Sequence, residues 1–351
     1  IPIVSYNVLS DKLGTPKSYP GLDAADLDPD TRWTRVKAKL GTEIEKDRPV
    51  IALQEVSRKW AAKLQVMFER HGYCFMSSHY GAHYSGFMGC GLAYPREQFS
   101  LEDSAFTRVS HSKTWPHPRK WVCAEDHRPP ARLTPRTHAQ ASRTILLGQG
   151  AVRHQERCPW DYSKNRNNTM ISVLLQSKDV PAVKLSVSTY HMPCAFWDPR
   201  IMTIHTALAA QSAHVSLAAK GSPYVLLGDF NLKPNDPAYN LMVDGALPED
   251  DAGQPEPLPH DPWRPTVPLA YTSAYRAVLG KEPKATNHTL SWSDNKPFTD
   301  CLDYIFCSPG VKPIAVLDLP DPDTTPPCPS ATEPSDHWLV GTTVEVDASS
   351  Q

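Results

Sequence analysis

No run of consecutive apolar residues in this chain approaches the roughly 18 needed to cross a bilayer, so a membrane-spanning helix is not expected. The 8 cysteines contain no Cys-x-x-Cys pair, which argues against a structural zinc site. Several, such as Cys301 and Cys307, lie in apolar runs. That suits reduced, buried thiols and an intracellular reducing compartment, whether cytoplasm, nucleus or mitochondrion. An excess of charge of one sign is missing too. Lys+Arg 36 against Asp+Glu 38 leaves a formal charge of -2, and such a balance selects no partner. Glycine is scarce at 17, whereas the 35 prolines are about twice the usual share. Connections are therefore expected to be extended and proline-stiffened rather than loose. There is no internal repeat and no initiator methionine. The start at Ile1-Pro2-Ile3-Val4 is already strand-like and reads as a processed or truncated end, which hides any targeting segment.

What is present is a core. Hydrophobic residues make up 40% of the 351 residues. Strand patterns run over Ile3–Leu9, Val50–Val56, Phe87–Tyr94, Met170–Leu175, Val183–Ser188, Val225–Asp229, Leu290–Trp292, Cys301–Cys307, Ile314–Leu317 and Trp338–Val346. Helical spacing joins Val36, Leu40 and Ile44 behind possible caps Asp30 and Thr31, and joins Trp60, Leu64, Met67 and Phe68. Asp198-Pro199 opens a further helix with Ile201, Ile204, Leu208 and Val215 on its buried face. Asp236-Pro237 opens a short one ending near Gly245. Strands recur from end to end with long helices only in places. One domain over 1–351 with two packed sheets fits this better than a doubly wound single sheet.

Two stretches depart from that pattern. Residues 107–166 hold 12 Lys/Arg against 4 acids, with Trp115, Trp121 and Trp160 interleaved. Cations beside aromatics could hold single-stranded nucleic acid by phosphate pairing and stacking, or the tryptophans could pin a solvated loop to the core. Residues 244–262 carry 6 acids and no Lys or Arg, and read as an acidic loop.

The chemistry-bearing residues sit at the ends of apolar strands. Val225-Leu226-Leu227-Gly228-Asp229-Phe230-Asn231 places Asp229 and Asn231 on one side, because alternate residues share a face. A carboxylate and an amide facing one cleft suit a water held for attack on phosphorus. An Asx-type turn is the bland alternative. Asn7, Glu55, His191, Asp303 and Ser335-Asp336-His337 lie at similar strand edges. A charge there is costly unless it is paired or bound to metal. Oxygen donors with few thiols or imidazoles suit magnesium or manganese rather than zinc.

The series Ser5-Tyr6-Asn7, Leu53-Gln54-Glu55-Val56, His191, Gly228-Asp229-Phe230-Asn231, Leu302-Asp303-Tyr304 and Ser335-Asp336-His337 resembles the endonuclease/exonuclease/phosphatase superfamily in order and spacing. Within it the chain is most similar to the nocturnin and carbon-catabolite-repression deadenylase branch, through Asn7-Val8-Leu9, Arg32-Trp33, Leu53-Gln54-Glu55-Val56 and Pro334-Ser335-Asp336-His337. The resemblance implies a deoxyribonuclease-I-like four-layer α/β sandwich, with two mixed sheets face to face and helices outside. It implies Glu55 as magnesium ligand with Asn7 beside it, and Asp336 serving a metal or the leaving oxygen. It also implies Asp229 as water-activating base, Asn231 positioning that water, His337 on the phosphoryl oxygens oriented by Asp303, and His191 as a second phosphate contact. The branch often follows that histidine with Leu and a basic residue. Here Met192-Pro193-Cys194 follow, so His79, Arg200 or the basic stretch would have to replace the cation. Asn287, ahead of Leu290-Ser291-Trp292, is a further candidate substrate contact. The implied activity is a Mg2+-dependent 3′-exoribonuclease on single-stranded RNA, with Mn2+ as substitute. Alternatives are a phosphatase or 2′,5′-phosphodiesterase for a small nucleotide, and a nucleic-acid-binding module without catalysis.

Overall fold

A computed structural model describes residues 1–80, 86–116, 158–218, 222–258, 261–291 and 294–347. In chain order the elements are β1 (Pro2–Asn7), α1 (Pro29–Asp47), β2 (Val50–Gln54), α2 (Arg58–Arg70), β3 (Tyr73–Tyr80), β4 (Met88–Pro95) and β5 (Phe99–Arg108). There follow α3 (Pro159–Lys164), β6 (Thr169–Ser177), β7 (Lys184–His191), α4 (Pro199–Ala218), β8 (Tyr224–Asp229), α5 (Pro237–Asp244), β9 (Thr272–Ser273) and α6 (Ala274–Leu279). The last are β10 (Asn287–Leu290), β11 (Pro297–Asp300), β12 (Asp303–Cys307), β13 (Val311–Val316) and β14 (Val340–Val346).

Among the described residues two six-stranded sheets form, ordered β13-β14-β1-β2-β4-β3 and β5-β6-β7-β8-β12-β9. Each is antiparallel except for one parallel pair, β1 with β2 and β7 with β8. Each parallel pair is a strand-helix-strand crossover, through α1 in one sheet and α4 in the other. The sheets meet through one apolar layer that includes Ile3, Val50 and Leu92 from the first and Val173, Val187, Val225 and Ile305 from the second. The outer face of the first sheet packs on α1 and α2 through Val36, Leu40, Ile44, Trp60, Leu64 and Phe68. The outer face of the second packs on α3, α4 and α5 through Trp160, Ile204, Leu208, Leu241 and Phe230. Three apolar layers between four structural ones make the expected α/β sandwich.

Several local expectations need correction. The cap of α1 is Asp28, whose side chain accepts the Thr31 N–H, so the helix starts earlier than Asp30. Its buried stripe continues one turn further back, onto Arg32. Val215 is 68% exposed, and α4 instead buries Ala207, Ala210 and Ala213. β3 and β5 lie at sheet edges and alternate too weakly to read as strands. β12 begins at Asp303 rather than Cys301, and β10 ends at Leu290. Trp292 lies outside the described residues.

The ends of the basic stretch are built into the protein. Trp160 belongs to the outer core and Trp115 meets it edge-on at 6.2 Å. The buried Lys113 pairs with Asp261 of the acidic loop and lies 5.3 Å and 5.2 Å from the Trp115 and Trp263 rings. These two tryptophans therefore anchor the stretch. Trp121 and the cations from Arg119 to Arg157 lie outside the described residues.

Candidate active site

The two parallel crossovers deliver the site. Asn7 ends β1, Glu55 follows β2, His191 ends β7 and Asp229 ends β8, so all four lie at the carboxyl ends of the crossover strands. β7 and β8 register His191 opposite Asp229. β12 runs antiparallel to β8 and sets Asp303 opposite Asp229 from the other side. His337 enters just before β14, which pairs antiparallel with β1. Strand register thus brings together residues more than 300 positions apart in sequence.

Gly228 permits the close approach of β7 and β8. Its φ is 143°, and a Cβ there would lie 1.9 Å from the Tyr190 carbonyl oxygen and 3.2 Å from Gln54 Nε2. The fully buried Gln54 fills that space and donates to Thr189 Oγ1 at 3.0 Å and Ser5 Oγ at 3.1 Å, tying the sheets together beneath the site. Leu9, Glu55 and Asn231 each adopt positive φ, at 50°, 58° and 51°. Left-handed backbone at three non-glycine residues around one cleft marks conformations that the surrounding contacts enforce.

Asp229 is the hub. Its Oδ2 accepts from Asn7 Nδ2 at 2.9 Å and lies 3.4 Å from His191 Nε2 and 3.6 Å from His337 Nε2. Its Oδ1 accepts the Asn231 N–H at 2.9 Å, an Asx turn that also aims the Asn231 side chain. The Asx-type turn expected of this loop is therefore present. Asn231 Nδ2 donates to the Met192 carbonyl at 3.1 Å. His337 Nδ1 donates to Asp303 Oδ2 at 2.7 Å, and the same oxygen accepts Thr286 Oγ1 at 2.7 Å. Burial opposes a charge on His337, but the carboxylates of Asp303, Asp229 and Asp336 outweigh it and hold the imidazole pKa well above its ordinary value. Burial raises the Asp303 pKa and His337 opposes that, so each group favours the charged form of the other.

Glu55 accepts from Asn7 Nδ2 at 3.3 Å and the Ser10 N–H at 3.1 Å. Burial raises its pKa, His191 opposes this, and the neighbouring Asp336 carboxylate raises it further. Asp336 accepts Tyr19 Oη at 2.8 Å and has Asn287 Nδ2 at 3.5 Å, while the buried Asn287 Oδ1 has no partner. Two carboxylates repelling each other, with an unsatisfied amide oxygen nearby, are a donor set that a hard divalent cation fits. Asp229, Asp303 and His337 also cluster closely enough to suggest a metal. The His337–Asp303 hydrogen bond takes one donor atom of each, and a charged imidazole beside them would repel a cation, so the Glu55–Asp336 side is the better place.

Eight of the sequence candidates thus converge: Asp229, Asn231, His337, His191, Asp303, Glu55, Asn7 and Asp336, with Asn287 beside them. Two have other partners. Arg200 is held in a two-pronged pair by Asp198, at 3.0 Å and 3.1 Å. His79 faces the Ser57 backbone and Arg58, and burial lowers its pKa. Sequence reasoning missed Tyr80, which bonds His191, and Thr286, which bonds Asp303. It used Arg32 only as part of a helix-entry motif. That guanidinium is fully buried and donates to the carbonyls of Val8 at 2.8 Å, Leu9, and Pro334 at 2.6 Å, joining the loop after Asn7 to the one before Asp336. The four-residue spacing of Arg32, Val36, Leu40 and Ile44 was the available signal.

A donor set of this kind at the strand ends can serve the hydrolysis of a phosphate ester. The chain belongs to the Endonuclease/Exonuclease/phosphatase family, whose model matches residues 4–337. Its relatives include Carbon catabolite repressor protein 4 homolog 4 of Arabidopsis thaliana, 34% identical over 165 residues, or 43% of this chain and 36% of that protein. Another is human 2′,5′-phosphodiesterase 12, 30% identical over 183 residues, or 48% of this chain and 27% of that one. The matches thus span only about a third of these relatives' own length. The fold is that of the solved structure of ANGEL2, a 2′,3′-cyclic phosphatase, in complex with adenosine-2′,3′-vanadate, with a TM-score of 0.68, 20% identity, and coverage of 98% of this chain and 95% of that one. The similarity to the carbon-catabolite-repression branch read from the sequence holds.

Proposed function

We propose that the chain is a magnesium-dependent 3′-exoribonuclease of the deadenylase type, hydrolysing phosphodiester bonds of single-stranded RNA. The observation that carries this reading is the surrounding of Asp229: one carboxylate faced by two imidazole Nε2 atoms and an amide, from segments far apart in the chain. Asp229 takes the proton of the attacking water. Asn231, with Nδ2 committed to Met192, offers Oδ1 to orient that water. The His337 imidazolium, kept charged by Asp303, donates Nε2–H to a phosphoryl oxygen as negative charge gathers there. His191 offers a second donor. Magnesium or manganese held by Glu55 and Asp336, with Asn7 beside them, would neutralise phosphoryl charge as a Lewis acid. The similarity to the CCR4-Not complex 3′-5′-exoribonuclease subunit Ccr4 of Saccharomyces cerevisiae, 23% identical over 361 residues, supports an RNA substrate.

A second reading is a 2′,5′-phosphodiesterase or a phosphatase for a small nucleotide. It is favoured by the human 2′,5′-phosphodiesterase relative and by the absence of a cation among Met192-Pro193-Cys194. The deciding experiment is a substrate panel with magnesium and with chelator: poly(A), mixed RNA, single-stranded DNA, 2′,5′-oligoadenylate and a phosphorylated nicotinamide dinucleotide. Stepwise shortening of poly(A) from its 3′ end supports the first reading. Turnover confined to the last two compounds replaces it with the second, and no metal-dependent turnover of any substrate rejects both.

A further inference from the structure

We propose that Tyr80 is the positioning residue that sets the His191 tautomer, placing the ring proton on Nε2 so that an N–H points at the phosphoryl group beside Asp229. This rests on the reading of His191 as a phosphate contact. Tyr80 ends β3, the edge strand of the first sheet, while His191 ends β7 in the second. Both are buried, at 4% and 6% exposure. Tyr80 Oη lies 2.6 Å from His191 Nδ1, and the rings meet edge-on with centroids 6.1 Å apart.

The direction of that bond follows from both of its ends. A neutral imidazole has one N–H and one lone pair, and a carboxylate only accepts. His191 Nε2 faces Asp229 Oδ2 at 3.4 Å, so that nitrogen is the one that needs the hydrogen. Nδ1 then offers its lone pair, and the Tyr80 hydroxyl donates to it. The reverse arrangement would set a bare Nε2 against the carboxylate. It would also leave the Tyr80 proton without an oxygen or nitrogen acceptor among the described residues, the Cys90 thiol being its other neighbour. Burial, and then Cys90, hold the phenol well above its ordinary pKa, so it keeps its proton throughout the working range. Burial likewise pushes the Cys90 thiol up to about 12.

The rest of His191 is fixed without Tyr80. Its carbonyl accepts Asn168 Nδ2 at 2.8 Å, and the next amide, Met192 N–H, donates to the Asp229 carbonyl at 2.8 Å. Tyr80→Phe therefore removes the tautomer control while leaving the backbone and ring packing in place. A metal-independent outer group of this kind acts as outer-sphere partners do for metal-bound histidines, by choosing which nitrogen carries the proton.

The test combines kinetics with nitrogen NMR. On whichever phosphodiester the wild type turns over, Tyr80→Phe is expected to lower kcat about 10- to 100-fold with KM within about threefold. In a His191→Ala background the same substitution is expected to change nothing further, because Tyr80 acts through that ring. Histidine-labelled wild-type protein at alkaline pH, with the resonance assigned by His191→Gln, is expected to show His191 protonated on Nε2. The Tyr80→Phe protein is expected to show a mixture of tautomers. An unchanged kcat overturns the proposal. So does an equal loss in the His191→Ala background, which would make Tyr80 merely structural, or a wild-type ring protonated on Nδ1. If no phosphodiester is turned over, the functional reading fails on its own, and the nitrogen shifts still decide the role of Tyr80.

Discussion

Asp303→Asn isolates the charge behind His337 with little change of shape. The structure fixes how the new amide must sit. Asp303 Oδ2 accepts from both Thr286 Oγ1 and His337 Nδ1, each at 2.7 Å. Thr286 in turn accepts the Leu302 and Asp303 N–H groups at 2.9 Å, so its own proton is committed to that oxygen. The asparagine must therefore keep an oxygen at this position and cannot turn its NH2 toward the ring. His337 still donates from Nδ1, but without the carboxylate it loses the extra proton, and a bare Nε2 faces the substrate. Losing one aligned donor to a developing oxyanion costs about 2.7–4 kcal/mol, or roughly 10²- to 10³-fold in kcat. In a discontinuous assay on labelled oligonucleotide, kcat is expected to fall by that factor, with KM within about threefold. The sign with pH follows from the raised pKa of His337. In the wild type the donor is present at neutral pH and is lost only as pH rises through that raised value. In the variant the loss moves to lower pH, so the deficit is smallest in acid and grows toward neutrality. A kcat within about fivefold of wild type at neutral pH would refute the reasoning, because Asp303 would then not be sustaining the imidazolium.

Three other substitutions address the frame. Gly228→Ala forces a Cβ to within 1.9 Å of the Tyr190 carbonyl at a φ of 143°, and urea denaturation should show a loss of roughly 3 kcal/mol with the same m-value. Arg32→Met strips the donors from the Val8, Leu9 and Pro334 carbonyls, and should lower stability on the order of 3 kcal/mol and raise the magnesium concentration needed for half-maximal rate. His205 is fully buried on α4, and burial, then the Arg166 charge, lower its pKa to about 3. The unfolded chain takes up that proton first as pH falls below about 6.5, so at pH 5 wild type should lose about 2 kcal/mol that His205→Gln does not lose, measured as the difference between their unfolding free energies at pH 7 and pH 5.

The parts of the site that could be read in the sequence share one property: a polar residue ends a run of apolar ones. Asn7, Glu55, His191 and Asp229 close strands buried on both faces, where polarity is costly and therefore visible. Asp303 and His337 show for the same reason from the antiparallel strands β12 and β14. The parts that stayed hidden lack that contrast. Tyr80 is an ordinary residue of a half-polar edge strand, and only the packing of two sheets brings its hydroxyl to His191. Thr286 precedes a four-residue strand whose burial depends on its bridge to His337. Arg32 broke an apolar stripe and so looked like a helix start, although its charge serves the carbonyls of two loops distant in sequence. Residues at these strand ends that would meet a phosphate are polar at an apolar boundary. Those that orient them need only be polar somewhere within reach, and reach is a property of the fold. This argues that the groups tuning specificity among phosphodiesters in this family are to be sought in such supporting contacts, beginning with Tyr80 and Thr286, rather than in further strand-end motifs.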